Sequence, residues 1–147
     1  MIVYLDTSAL VKRYIREAGS DQVEQRVQQA AAIGSAAITR AEVAATFAKA
    51  VRTGLLKRDA AQHDLETFRQ DWNDYERLEV NDTVVARADA LAWQYGLRGY
   101  DAVQLATALI WHETLESTVT FATYDKALWG VARQVGLEPF PPDLVEE

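Results

Sequence analysis

With 147 residues, 49% of them hydrophobic, and a formal charge of −7, the chain has the make-up of one globular domain spanning 1–147, not of a disordered or fibrous polymer. The absence of cysteine excludes disulfides and cysteine-based zinc sites and suits a cytoplasmic protein, while no apolar run nears the ~20 residues of a membrane span and MIVYLDTSAL lacks the features of a signal peptide. Acidic residues outnumber basic ones by 22 to 15, so any nucleic-acid contact must rest on a local basic patch and not on the net field.

Ile2 to Leu5 is a short, fully apolar run that predicts a buried strand. Thr7 or Ser8 can cap a helix to about Glu17, with Leu10, Val11, Tyr14 and Ile15 at helical spacing. Gly19 ends it, and Ser20 starts a second helix through about Ala31. Ile33 to Ile38 predicts a second strand, and Thr39 opens a long helix to about Thr53, closed by Gly54. A further helix runs from Arg58 or Asp59 to about Trp72, and Tyr75 to Val80 alternates as a short strand. Asp82 caps a helix ending near Gly96, and Tyr100 or Asp101 begins the next, to about His112. Thr118 to Ala122 is β-branched and aromatic, hence a strand. Tyr124 to Val135 is helical, Gly136 stops it, and Leu137 to Phe140 makes a last edge strand. Helical stretches long enough to cross over predict an α/β fold: a three-layer α/β/α sandwich on a short parallel sheet.

Against that frame four carboxylates hold equivalent places. Asp6, Glu42 and Asp125 each follow a strand-like run or lie just inside the next helix, and Asp101 begins a helix with no strand before it. In a parallel α/β sheet these places share one edge, where ligands bind. Each acid also has a plain structural explanation. Asp6 precedes a helix, Thr39-x-x-Glu42 reads as a capping box, and Asp101 and Asp125 suit the positive dipole of first helical turns. Jointly they say more, because two carboxylates ~4 Å apart repel by about 4 kcal/mol at an effective dielectric near 20 and either share protons or bind cations. An oxygen-only donor set favours magnesium or manganese over zinc, and such an ion activates a water to attack a phosphoryl group. Thr7, Ser8 and Thr123 follow strand ends and are placed to hydrogen-bond a carboxylate, a metal-bound water or a phosphate, or to cap helices. His63 and His112 have no ligand partner at metal spacing.

At these residues the chain resembles the PIN-domain ribonucleases, specifically the VapC toxins of VapBC toxin–antitoxin pairs. The matching segments are IVYLDTSALVKRYIREAGS, SAAITRAEVAATFAKA, LRGYDAVQLATAL and FATYDKAL, in order from Ile2 to Leu128. The resemblance implies a metal-dependent endoribonuclease, a homodimer, and inhibition by a cognate antitoxin that inserts into a groove. It implies that Asp6, Glu42, Asp101 and Asp125 bind Mg2+ or Mn2+, with Asp125 matching the most variable position. Gln104 stands where many relatives carry histidine.

Arg40, Arg98 and Lys126 each lie within three residues of one of these acids and fit RNA-phosphate contacts or surface ion pairs. Lys12, Arg13 and Arg16 form a basic stripe on the first helix. Trp93, Trp111 and Trp129 have the spacing of core or dimer-seam residues, while Trp72, among acids, is expected to be partly exposed. The alanines of helix 39–53 permit close packing or a groove for an amphipathic antitoxin helix. An alternative is a non-catalytic RNA- or protein-binding module whose acids only cap helices. An aspartyl-phosphate enzyme is disfavoured because it wants a second acid two residues beyond Asp6, where Ser8 stands.

Overall fold

Side-chain alternation in strand β1 (Ile2–Leu5) sets the layering: Tyr4 is buried against one face of the sheet, Val3 and Leu5 against the other. The structure, a computed structural model, describes residues 1–144. After β1 come helix α1 (Thr7–Leu10), a 3-10 turn (Val11–Arg13), α2 (Ser20–Gln29), β2 (Ala32–Ala36), α3 (Thr39–Arg52) and α4 (Arg58–Asp71). A second 3-10 turn (Trp72–Asp74) leads to β3 (Glu76–Leu78), α5 (Asp82–Tyr95), α6 (Gly99–Leu115), β4 (Val119–Ala122), α7 (Lys126–Gln134) and β5 (Glu138–Phe140). All five strands are parallel, in the order β3-β2-β1-β4-β5. One core lies under α5, α6 and α7, where Tyr4 and Phe121 stack at 5.3 Å; the other lies under α1, α2, α3 and α4 around Phe47 and Phe68. The expected α/β/α sandwich is the observed fold. No helix among the described residues is long and apolar enough to cross a membrane.

Several expected boundaries move, the first helix through tertiary contacts and the starts of α5 and α7 through local caps. The first helix was expected to reach Glu17, but α1 stops at Leu10 and the 3-10 turn at Arg13. Beyond it, Arg13 donates to Tyr75 Oη at 2.6 Å and Tyr14 to Asp71 Oδ2 at 2.9 Å, so both side chains are committed to the end of α4. The cap of α5 is Asn81, whose side chain accepts from the Val84 N–H at 3.0 Å, not Asp82. Strand β2 ends at Ala36, and α7 starts at Lys126 with Asp125 as its cap. Two tryptophans exchange roles. Trp72 is buried against Phe68 and Tyr75, whereas Trp93 is 90% exposed because the core stripe of α5 runs through Val84, Ala88 and Leu91.

Candidate acidic site at the C-terminal edge of the sheet

The chain leaves β1 toward β2 on one side and later returns to pair β4 on the other, so the sheet order reverses at the β1–β4 neighbours. Crevices open at such reversals, beyond the C-terminal ends of the strands. Leu5 pairs with Ala122, which sets Asp6 beside Thr123 at that edge. Asp6 is 5% exposed. Its Oδ2 accepts from Thr123 Oγ1 at 2.6 Å and from Ser8 Oγ at 2.7 Å. Every fully buried side-chain polar atom among the described residues has a partner, so Oδ1, which has none, faces the open side. Burial pushes the Asp6 carboxyl up from 3.8 to about 6; the two hydroxyls pull it down, and the nearby charges of Asp101 and Glu42 raise it further.

Glu42, in the first turn of α3, is held in the same way. Its Oε1 accepts from Gln104 Nε2 at 2.7 Å and Thr7 Oγ1 at 2.9 Å. Asp101 and Asp125 are tied by Arg98, whose Nε donates to Asp101 Oδ2 at 2.9 Å and whose Nη2 donates to Asp125 Oδ2 at 3.0 Å. The Arg98 side chain is 79% exposed, and its two acidic partners hold the guanidinium above its ordinary pKa.

Side-chain capping accounts for Asp125, and Asp101 lies in the first turn of α6 as its dipole explanation expects. The expected Thr39-x-x-Glu42 capping box does not form. The cap of α3 is Ile38, and Thr39 turns inward to Gln104 at 2.9 Å and Ser35 at 2.8 Å. Asp6 precedes α1 but makes no side-chain cap bond. Asp125 does cap α7, accepting from the Leu128 N–H at 2.9 Å through Oδ1. Thr7, Ser8 and Thr123 all direct hydroxyls onto carboxylates.

Among the described residues no three of these carboxylates are gathered closely enough to hold a metal ion as they stand. They lie at one edge but in two settings: Asp6 and Glu42 on neutral donors, Asp101 and Asp125 on the Arg98 guanidinium. The donor chemistry fits a hard divalent cation, because Asp6 and Glu42 are each anchored through one oxygen with the other free of protein hydrogen bonds. A groove of about 710 Å³ opens beside them, walled by Val85, Ala88, Ala92 and Val103 and bordered by Glu42, Arg98 and Asp101. Tyr100, 70% exposed, stands on its rim.

The basic candidates separate. Arg98 sits on the acids, Arg40 lines a neighbouring groove between α3 and α4, and Lys126 lines one with Lys12 and Tyr124. His63 is exposed on α4, and His112 accepts from the Val119 backbone at 3.2 Å. Sequence reasoning missed the buried polar support beneath Glu42, formed by Gln104, Tyr4 and Thr39. Its one legible signal was that Gln104 lies three residues after Asp101, on the same side of α6.

A family model described as "PIN domain" matches residues 3–133. The chain is 34% identical to Ribonuclease VapC3 of Pyrobaculum aerophilum over 110 residues, which are 74% of this chain and 82% of that protein. It is 31% identical to Ribonuclease VapC49 of Mycobacterium tuberculosis over 147 residues, 97% of each chain. Solved structures with the same fold include FitAcB from Neisseria gonorrhoeae, with TM-score 0.67, 20% identity, and coverage of 97% of this chain and 98% of that one. VapBC2 from Rickettsia felis, bound to a DNA fragment from its promoter, gives TM-score 0.66 at 16% identity, covering 95% and 99%.

Proposed function

The chain belongs to the PIN domain family, and on that footing we propose that it is a VapC-like endoribonuclease in which Asp6, Glu42, Asp101 and Asp125 hold Mg2+ or Mn2+. The observation that supports the reading is that these four acids, from four separate elements, lie at one edge of the sheet in two settings, with Asp101 and Glu42 near enough to raise the Asp6 pKa and one arginine tying Asp101 to Asp125. A hard divalent ion supplies an activated water and neutralises charge on the phosphoryl oxygens. The chain's own part is positional. Ser8 and Thr123 fix Asp6, and Thr7 and Gln104 fix Glu42. Arg98 keeps Asp101 and Asp125 together and, once released from them, lies at the groove to meet an RNA phosphate; Arg40 and Lys126, in separate grooves, are further phosphate candidates. The groove beside the acids takes unpaired RNA, with the exposed Tyr100 ring available for stacking.

The Neisseria and Rickettsia neighbours, and a "Toxin-antitoxin complex from Klebsiella pneumoniae" (TM-score 0.58, 17% identity, covering 84% of this chain and 88% of that one), support a cognate antitoxin for this chain. The groove between α3 and α4, lined by Ala41, Ala44 and Leu65, is its seat, and exposed Trp93 lies on the seam of a homodimer. Purified protein should cut RNA with added magnesium and stop with EDTA. Asp6→Asn should abolish cleavage while leaving the fold intact; cleavage that persists in that variant after contamination is excluded refutes the assignment.

A second reading, a non-catalytic binding module on this fold, is favoured by Asp125 acting as a helix cap and by the loose gathering of the acids. It predicts no metal-dependent rise in melting temperature, whereas metal binding raises stability by RT ln(1 + [L]/Kd).

A further inference from the structure

Beneath Glu42 lies a buried polar chain that caps no helix. Gln104 is 1% exposed and Tyr4 is fully buried, with the buried hydroxyls of Thr39 and Ser35 beside them. The backbone N–H of Ala36 donates to Tyr4 Oη at 3.1 Å. Tyr4 in turn donates to Gln104 Oε1 at 2.5 Å. The amide nitrogen of Gln104 then donates to Glu42 Oε1 at 2.7 Å, and also contacts Thr39 Oγ1 at 2.9 Å and Thr7 Oγ1 at 3.4 Å. Along the line from Ala36 through Tyr4 and Gln104 to Glu42 the proton directions are fixed by chemistry. The backbone N–H can only donate, so the phenol oxygen accepts there and its O–H donates onward. That leaves the amide oxygen toward Tyr4 and the amide NH2 toward the carboxylate. Reversing the amide would set an oxygen against Glu42 and a donor against a donor.

We infer that Gln104, oriented by Tyr4, is the positioning residue for Glu42: it pins one carboxylate oxygen with a neutral, buried donor so that the other stays aimed at a divalent cation. A neutral donor suits the task. A cationic side chain at 2.7 Å would hold the carboxylate as firmly but would compete with the metal for its charge. The donors to Asp6 are neutral too, which distinguishes these two acids from the Arg98-bound pair. The inference rests on the proposed metal-binding role of Glu42, and groups that orient metal ligands typically change metal affinity 10–100-fold when removed.

The test is Mn2+ titration, by calorimetry without RNA, of folded wild-type protein and four variants. Gln104→Leu should weaken Mn2+ binding by about tenfold or more. Tyr4→Phe keeps the ring stacked on Phe121 and removes only the hydroxyl that sets the amide, so it should weaken binding in the same sense but less. Gln104→His should restore most of the affinity lost in Gln104→Leu, because a neutral imidazole also presents a donor on one side and an acceptor on the other. Wild-type affinity in folded Gln104→Leu or Tyr4→Phe overturns the inference, as does a loss in Gln104→His equal to that in Gln104→Leu. Glu42→Gln separates the two levels. If it weakens binding while the Gln104 and Tyr4 variants do not, Glu42 is a ligand without this support. If it too binds like wild type, the ligand assignment of Glu42 falls and the inference with it.

Discussion

Replacing Asp6 by asparagine should stabilise the metal-free protein at neutral pH, although Asp6 lies at the heart of the proposed site. The carboxyl is lifted from 3.8 to about 6, chiefly by burial. The folded state therefore keeps the Asp6 proton over an interval in which the unfolded chain has already released it. Stability from this group is full below that interval and is lost as the pH rises through it. At ~1.36 kcal/mol per pK unit, the ionised carboxylate costs the folded state about 3 kcal/mol near pH 8 and only about 1 kcal/mol near pH 4.5. Asparagine removes that cost without orphaning its neighbours. Ser8 and Thr123 both donate to Oδ2, so one amide oxygen can serve both while the NH2 takes the open side. For a chain of this size, ~2–4 °C per kcal/mol gives Asp6→Asn a melting temperature roughly 6–12 °C above wild type near pH 8 in EDTA. The advantage should shrink as the pH falls toward about 4.5, and Mn2+ should raise the melting temperature of wild type only. Differential scanning calorimetry at the two pH values, with EDTA or Mn2+, measures all of this. A variant no more stable than wild type near pH 8 in EDTA would refute the argument that the Asp6 charge is costly without a cation.

Other outcomes follow from single contacts. Asp125→Ala loses the Leu128 cap and should cost about 1 kcal/mol of stability, whereas Asp125→Asn keeps the cap oxygen and should not. If Asp125 is also a ligand, both weaken Mn2+ binding equally, a comparison that thermal unfolding and metal titration make together. Arg98→Ala frees Asp101 and Asp125 of their guanidinium and should tighten Mn2+ binding while raising the KM for RNA, read by calorimetry and cleavage kinetics. Gly34→Ala would set a Cβ 2.7 Å from the Trp111 ring and 3.0 Å from the Glu76 carbonyl oxygen. Overpacking of that kind typically costs about 1–3 kcal/mol, and urea denaturation should show it.

The order of strands and helices was legible because apolar runs, helical spacing and glycine stops are local signals. Parallel pairing followed from crossover length, and the pairing in turn brought Asp6, Glu42 and Asp125 to one edge. Two of the misses arise where distant residues compete for the chain. The first helix yields to Tyr75 and Asp71, because Arg13 and Tyr14 reach them across 62 and 57 positions of sequence. The Thr39 capping box failed for the same reason: a buried amide from α6 was a better partner for Thr39 than its own helix end.

By itself, then, the sequence determined which acids stand at helix starts, that no thiol joins them, and that the strands lie parallel; all three depend on residue type and on lengths along the chain. Tertiary structure alone decided how those acids are held. Asp6 rests on two hydroxyls, Glu42 on an amide steered from beneath the sheet, and Asp101 and Asp125 on one exposed arginine. Such partners converge only when the sheet closes, since hydrogen bonds and burial depend on distance through space and leave no mark on spacing along the chain.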